Sequence, residues 1–139
     1  MGVTEYLADK SALARLHLPP VRDVLVPIMD RGLVSICGVT ELELLYSARN
    51  IQERSRMKQQ LEASLDPVHE PDDLWARASK IQEALTEKGQ HRAASIPDLV
   101  VAATAQAAGL ILLHYDNDFE TIASFTEQPT RWVVPAGTV

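Results

Sequence analysis

The sequence predicts an α/β protein in which helices pack around a mostly parallel central sheet. Short apolar runs alternate with longer helical patterns, the most apolar run is short enough for a buried strand, and the charged fraction is an ordinary 23%. Such alternation is typical of parallel sheets, because parallel strands need a long, usually helical, connection. The 139 residues contain no internal repeat and no linker rich in Gly, Pro or Ser. A single domain over residues 1–139 is therefore predicted.

The first part of the chain predicts two strands separated by helix. Thr4–Ala8 forms a short strand-like run. The helical pattern after it is interrupted at Pro19-Pro20, resumes over Val21–Arg31 and ends at Gly32, because proline and glycine are strong helix boundaries. The run LVSIC at Leu33–Cys37 is apolar and partly β-branched, which favours a second strand.

The middle of the chain is predicted to be helical. Thr40–Ala48 and Ile51–Ser64 both have helical patterns, and the second is amphipathic and basic. Pro71–Lys88 places apolar residues at spacings of one, three and four, and Gly89 is suited to end that helix. No strand is predicted between these helices.

The last part of the chain predicts the most buried elements. Ser95–Ala108 is almost uniformly small and apolar, which indicates a buried helix. Leu110–His114 reads LILLH and is the clearest strand, with the continuous apolar character of a central parallel strand. Phe119–Phe125 predicts a short helix, and Arg131–Val134 a last strand.

Composition points to the cytosol. No apolar run reaches the roughly 18 residues that a membrane helix needs, and Met1–Lys10 lacks the basic-then-apolar order of a signal peptide. Cys37 is the single cysteine, so no internal disulfide can form, which fits a reducing compartment. We therefore expect a cytoplasmic protein with no membrane contact.

The charge is acidic overall but unevenly distributed. A net charge of −6 speaks mildly against a nucleic-acid partner. However, eight of the thirteen Lys and Arg residues lie between Arg49 and Arg92, whereas residues 93–123 contain four acids and no Lys or Arg. This pattern favours an acidic site beside a basic arm, although the same basic residues also fit a solvated helix face.

Four acids occupy positions where a sheet commonly binds ligands. Asp9 directly follows the first predicted strand, and Asp116 follows the most buried one. Ligands of open α/β sheets bind beyond the carboxyl ends of the strands. Glu43 comes about one helical turn after the second strand, and Asp98 opens the apolar helix. All four side chains could therefore meet at one edge of the sheet.

Such a cluster has two interpretations. Crowded carboxylates repel one another, and the hard cations Mg²⁺ and Mn²⁺ relieve that repulsion and prefer oxygen ligands. A metal-activated water can then attack a phosphodiester. Alternatively, Thr40 with Glu43 and Ser95 with Asp98 fit helix capping patterns, and Asp116 fits a turn or cap. The interpretations are compatible, since a capping acid can still face a metal.

Four segments make the chain resemble PIN-domain proteins, in particular the VapC toxins of toxin–antitoxin pairs. The segments are YLADKSALARL, VTELELLYSA, IPDLVVAATAQAAGLILLHYD and DNDFETIA. The resemblance implies a three-layer α/β/α sandwich with a mostly parallel sheet. It also implies a Mg²⁺- or Mn²⁺-dependent endoribonuclease that cleaves cellular RNA such as tRNA or rRNA. The expected partners are a cognate antitoxin, which inserts a C-terminal segment into the active-site groove, and a second copy in a homodimer.

The resemblance assigns residue roles. Asp9, Glu43, Asp98 and Asp116 match the family's acidic set, so we expect Asp9 and Asp98 as principal metal ligands and the other two completing the site directly or through water. The expected hydrolysis leaves a 5′ phosphate and a 3′ hydroxyl. Ser11 matches a small hydroxyl residue that bonds the Asp9 carboxylate or a metal-bound water, and Asp118 is a candidate fifth acid in a supporting position. Apart from the resemblance, the charge of the basic arm predicts that its residues steer RNA, namely Arg49, Arg54, Arg56 and Lys58.

One departure and two rivals qualify these assignments. His114 stands where many relatives carry threonine two residues before the last Asp, so an imidazole replaces the hydroxyl that would bond a metal-bound water. A phosphoacceptor receiver domain would also be acidic and α/β, but it needs an acid pair after the first strand, where this chain has only Asp9, and a lysine that RWVVP lacks. The second rival is a non-catalytic PIN-like module that binds RNA or protein, against which retention of all four acids argues.

Overall fold

The central sheet contains five parallel strands among the residues described by the computed structural model, which are 4–139. Residues 1–3 lie outside that range. They belong to the predicted domain and to the N-terminal segment in which no signal peptide is predicted. The strand order is β3-β2-β1-β4-β5, and all four pairings are parallel. In chain order the strands are β1 (Tyr6–Ala8), β2 (Val34–Cys37), β3 (Asp66–Val68), β4 (Ile111–His114) and β5 (Thr130–Trp132).

Helices cover both faces of this sheet. They are α1 (Lys10–Leu13), α2 (Pro19–Asp30), α3 (Gly38–Leu45), α4 (Ile51–Ser64), α5 (Leu74–Glu87), α6 (Ile96–Ala108) and α7 (Asn117–Thr126). Successive strand residues point to opposite faces. Accordingly, Leu7 and Leu112 pack in a core cluster with α5, α6 and α7, whereas Ala8 and Leu113 pack in a second cluster with α1 and α2. The predicted three-layer α/β/α architecture is thus confirmed.

The chain order places a topological switch point at the centre of the sheet. From β1 the chain continues to β2 on one side and later returns to β4 on the other, so β1 pairs with both neighbours. Loops that leave the two sides of such a switch point separate and open a crevice beyond the carboxyl ends of the strands. Asp9 directly follows β1, and Asp116 follows β4 after one intervening residue. Both therefore lie at that edge.

Three local expectations were wrong. β3 was not predicted; it is only three residues long, and its pairing with β2 defines it. Pro19 and Pro20 do not interrupt a helix but begin α2, where the first turn needs no backbone N–H donor. Trp75, part of the apolar pattern of the fifth helix, is 68% exposed, while Ala78, Ile81 and Leu85 form the buried face.

The predicted buried helix is confirmed as α6. Seven consecutive residues from Leu99 to Ala105 are buried. The helix ends at Gly109, whose φ of 66° lies in the left-handed region that favours glycine. Rigid packing of α6 against the sheet fixes the position of its first turn, where Asp98 lies. Across residues 4–139, none of the helices combines the length and the apolar character needed to span a bilayer.

Candidate metal centre

Asp9 is a buried carboxylate at the end of the central strand. It is the N-cap of α1, and its Oδ2 accepts the backbone N–H of Ser11 at 2.9 Å. Only 4% of the residue is exposed. Burial raises the pKa of Asp9, and although the Ser11 and Lys10 amides oppose this effect, the nearby charge of Glu43 adds to it. A buried carboxylate with a raised pKa gains from a cationic neighbour.

Asp98 is a helix cap that also lies near the other acids. The Ser95 amide donates to Asp98 Oδ2 at 3.0 Å, and the Asp98 amide donates to Ser95 Oγ at 3.2 Å, which makes a complete capping box. Nevertheless, burial raises the pKa of Asp98 to about 6, against the lowering effect of Ser95, and the charges of Asp9 and Asp116 raise it further. Asp98 thus caps α6 and faces the other acids.

Asp116 and Asp118 complete a tight group with Asp98. One carboxylate oxygen from each of the three lies within 4.8 Å of the others. Asp116 is the N-cap of α7, and its Oδ1 accepts the Asp118 amide at 2.9 Å, so the cap itself holds the two acids together. Burial raises the pKa of Asp118, and the charge of Asp116 raises it further. Asp118, expected only in a supporting contact, is therefore placed among the clustered acids.

Glu43 lies at the same edge but has a different partner. Its carboxylate forms a salt bridge with Lys10 Nζ at 3.2 Å, and its charge raises the pKa of Asp9. The capping interpretation of Glu43 is wrong. The helix α3 begins at Gly38, so Thr40 and Glu43 lie inside it, and the Thr40 hydroxyl is 3.5 Å from the Cys37 sulfur. Glu43 is thus a half-buried acid beside Asp9, and the salt bridge compensates its charge.

Ser11 supports the site through the neighbouring loop. Its hydroxyl oxygen accepts the backbone N–H of Tyr115 at 2.8 Å, and its amide donates to Asp9 as described above. The guanidinium of Arg15 donates to the Ser11 carbonyl at 2.8 Å and lies 4.8 Å from the centre of the Tyr115 ring. The start of α1 is thereby tied to the loop that carries Asp116.

The three aspartates share an arrangement that suits a cation. In Asp9, Asp98 and Asp116, one carboxylate oxygen accepts a backbone amide at 2.9 to 3.0 Å. These backbone amides fix the direction of each carboxylate. Hard oxygen donors in this number match the preference of Mg²⁺ and Mn²⁺. Because burial, and to a lesser extent the charges of Asp9 and Asp116, raise the pKa of Asp98, a divalent cation would stabilise the ionised site.

The predicted basic arm lies on α4, a helix with no buried residue. Arg49 precedes the helix and pairs with Glu53 at 3.0 Å, and Lys58 contacts Glu62 at 3.1 Å and Glu41 at 3.4 Å. Within the described part of the chain, Arg54 and Arg56 form no salt bridge. The Lys58–Glu41 contact ties α4 to α3, which carries Glu43. Two arginines without a salt bridge to residues 4–139 therefore lie on α4, beside the helix α3 that carries Glu43.

A parallel α/β/α sandwich with aspartates at the carboxyl ends of its two central strands is the architecture of a PIN-domain protein. The sequence profile of the PIN domain matches residues 6–124. Ribonuclease VapC21 of Mycobacterium tuberculosis is 50% identical over 135 residues, which cover 97% of this chain and 98% of that protein. Ribonuclease VapC51 of the same organism is 42% identical over 135 residues, 97% of each. The chain belongs to the PIN-domain family and, within it, to the VapC proteins, which confirms the resemblance inferred from the sequence.

Solved structures agree on the fold. VapBC2 of Rickettsia felis, bound to a DNA fragment from its promoter, superposes with a TM-score of 0.76 at 14% identity, over 93% of this chain and 99% of that one. VapBC-1 of nontypeable Haemophilus influenzae superposes with a TM-score of 0.76 at 16% identity, over 94% of this chain and 98% of that one. At these identities the likeness concerns the fold.

Proposed function

We propose that this protein is a metal-dependent endoribonuclease that acts as the toxin of a toxin–antitoxin pair. The proposal rests on the cluster of Asp98, Asp116 and Asp118 beside Asp9, at the carboxyl edge of a parallel sheet. The names of the VapC relatives, ribonucleases at 50% and 42% identity over nearly the whole chain, support the reaction class. Cellular RNA such as tRNA or rRNA is the proposed substrate, and the cytoplasm is the proposed compartment.

In this proposal carboxylate oxygens of Asp9, Asp98 and Asp116 would hold Mg²⁺ or Mn²⁺, and Asp118 and Glu43 would add negative charge. Such an ion lowers the pKa of water and neutralises charge on a phosphoryl group. The chain's own part is to fix the donors in advance. Backbone amides hold one oxygen of each aspartate, so little reorganisation is needed when the substrate binds.

Two further groups of this chain would act on the substrate side. Lys10 lies beside Glu43 and is 48% exposed at its side chain, so its ammonium group is placed to meet an incoming phosphate. Arg54 and Arg56 on α4 would attract the RNA backbone over a longer range. This division assigns bond cleavage to the acidic edge and RNA attraction to the adjoining helix.

Cleavage of a labelled RNA with and without EDTA tests the proposal. We expect cleavage with Mn²⁺ or Mg²⁺, products with a 5′ phosphate and a 3′ hydroxyl, and loss of cleavage on chelation. Restoration by added metal controls for damage by the chelator. Binding of RNA without cleavage at any metal concentration would instead support the non-catalytic PIN-like module, the alternative function.

The proposed protein partners are a cognate antitoxin and a second copy of the chain. Several fold neighbours were solved as toxin–antitoxin complexes, which supports an antitoxin partner here. A C-terminal antitoxin segment that enters the acid-lined crevice would block both metal and RNA. The homodimer is proposed on the resemblance alone.

We expect charge reversal on α4 to weaken RNA binding. Arg54→Glu or Arg56→Glu should reduce affinity, and the log–log salt dependence should become shallower by about 0.7 for each phosphate of a single strand that the protein no longer neutralises. Turnover at saturating RNA should change little, since these residues lie outside the acid cluster. Filter binding in an Asp98→Asn background, where the RNA stays intact, measures affinity and slope.

The matched control for this experiment is Arg31→Glu. Arg31 ends α2 at the amino edge of the sheet, so the same change in net charge is made away from the site. RNA affinity should fall much less in this variant. Equal weakening by all three substitutions would mean that only net charge matters. Unchanged RNA binding combined with loss of dimer or antitoxin binding would assign α4 to protein contacts.

A further inference from the structure

The imidazole of His114 forms a directed contact with the backbone of the metal centre. His114 ends β4, is fully buried and lies two residues before Asp116. Its Nδ1 is 3.0 Å from the backbone nitrogen of Asp116 and accepts that N–H. Its Nε2 is 2.7 Å from Oε2 of Glu120. Because one ring nitrogen accepts, the neutral ring carries its proton on Nε2 and donates it to Glu120.

Glu120 and two aromatic rings hold the imidazole in this orientation. The hydroxyl of Thr130 donates to the same Glu120 oxygen at 2.6 Å, which anchors the carboxylate to β5. Burial alone would raise the pKa of Glu120, but the hydrogen bonds from Thr130 and His114 outweigh burial and lower it, so the acceptor is charged. The rings of Phe119 and Trp132 lie 5.4 Å and 4.9 Å from the imidazole. The ring therefore has little freedom to turn.

We propose that His114 is a positioning residue, which holds the backbone amide of Asp116 and thereby directs the Asp116 carboxylate into the acid cluster. The inference rests on the proposed function, because it concerns the metal affinity of that cluster. Asp116 is extended, with φ of −150° and ψ of 118°, and its Oδ1 accepts the Asp118 amide. Rotation of this peptide would therefore displace both acids at once. Thr130 thus holds Glu120, Glu120 orients the His114 ring, and the ring holds the Asp116 amide.

A role through hydrogen bonds differs from simple packing in its response to matched substitutions. His114→Asn places an amide oxygen near the position of Nδ1, so it retains an acceptor for Asp116 and loses the donor to Glu120. His114→Gln reaches toward Glu120 and loses the acceptor near Asp116. Both variants remove ring packing against Phe119 and Trp132, so packing alone predicts similar effects from the two.

We expect Mn²⁺ affinity to fall by about tenfold or more in His114→Gln, the scale of losing a hydrogen-bonded support behind a metal ligand. His114→Asn should stay within about threefold of wild type. The measurement is titration of free Mn²⁺ by its electron paramagnetic resonance signal. Hydrogen exchange provides a second readout without metal: the Asp116 amide should remain protected in His114→Asn and exchange faster in His114→Gln. Equal losses of affinity and protection in both variants would overturn the positioning role.

Two measurements keep the proposal testable if these variants unfold. Nitrogen-15 NMR of wild type should show His114 protonated at Nε2 and unprotonated at Nδ1, and the reverse tautomer would overturn it. Thr130→Val keeps the imidazole and loosens only Glu120, so we expect a smaller loss of Asp116 amide protection in the same direction. If wild type binds no Mn²⁺ and cleaves no RNA, the proposed function fails, whereas the ring tautomer and the Asp116 amide still decide the positioning role.

Discussion

Replacing Asp98 by Asn is expected to reduce RNA cleavage by at least about a hundredfold, the scale on which preorganised electrostatic groups contribute to catalysis. The substitution removes one negative charge from the acid cluster and one donor oxygen from the proposed metal site. It preserves local structure, because the Asn oxygen can still accept the Ser95 amide that completes the capping box. Single-turnover cleavage of a labelled RNA at saturating Mn²⁺ measures the loss. Asp9→Asn should behave in the same way.

Stability measurements separate this loss from unfolding. The pKa of Asp98 is raised to about 6 from its ordinary 3.8, so the folded protein holds this proton more tightly than the unfolded chain does. The stability that this group contributes is present below pH 3.8 and is lost as pH rises through about 6. Without metal, Asp98→Asn should therefore be at least as stable as wild type at pH 7. Urea unfolding at pH 4 and pH 7 in EDTA checks the sign.

The matched control is Asp73→Asn, which makes the same change at the start of α5, where Asp73 pairs with Arg77 on the surface. Cleavage should be unchanged in this variant. Full activity in Asp98→Asn would remove the acid cluster from the mechanism. Inactivity in Asp73→Asn as well would show that the assay responds to fold rather than to the site.

The fold was predictable wherever local sequence and burial agree. The apolar run LILLH and the small apolar helix before it were predicted from composition alone and correspond to β4 and α6. In contrast, β3 is a largely exposed Asp-Pro-Val segment with no apolar alternation. It becomes a strand because residues 35–37 of β2 offer it a parallel edge. Such pairing depends on the tertiary fold, which a local pattern does not encode.

The site was predictable at the level of strand ends and less so at the level of contacts. Parallel topology places Asp9 and Asp116 at one edge once their strands are adjacent, and the structure shows that β1 pairs directly with β4. The position of Asp118 depends on the cap that its own amide makes with Asp116. The orientation of His114 depends on Glu120, which Thr130 holds once β5 pairs with β4. The cap at Asp116 was anticipated from the sequence, whereas the contacts of His114 with Glu120 and of Glu120 with Thr130 have no sequence signature.

Mn²⁺ or Mg²⁺ should raise the melting temperature of the wild-type protein. An ion that binds only the folded state stabilises it by about 2.7 kcal/mol at a hundredfold excess over Kd. For a chain of this size that corresponds to a shift of roughly 10 °C. Differential scanning fluorimetry of chelator-stripped protein, at constant ionic strength, measures it. The physical reason is that ionised Asp98 is buried and close to other acids, so the unfavourable burial and repulsion of its charge are offset by a bound cation.

Variants and pH identify where the ion binds. The shift should shrink to a small fraction in Asp98→Asn and remain complete in Asp73→Asn, because only the first removes a carboxylate of the cluster. It should also be smaller at pH 5 than at pH 7.5, since protons compete with the ion for a carboxyl with a pKa of about 6. Equal shifts in wild type and Asp98→Asn would place the ions elsewhere on an acidic surface. A shift that does not depend on pH would mean that Asp98 is not among the groups that bind the ion.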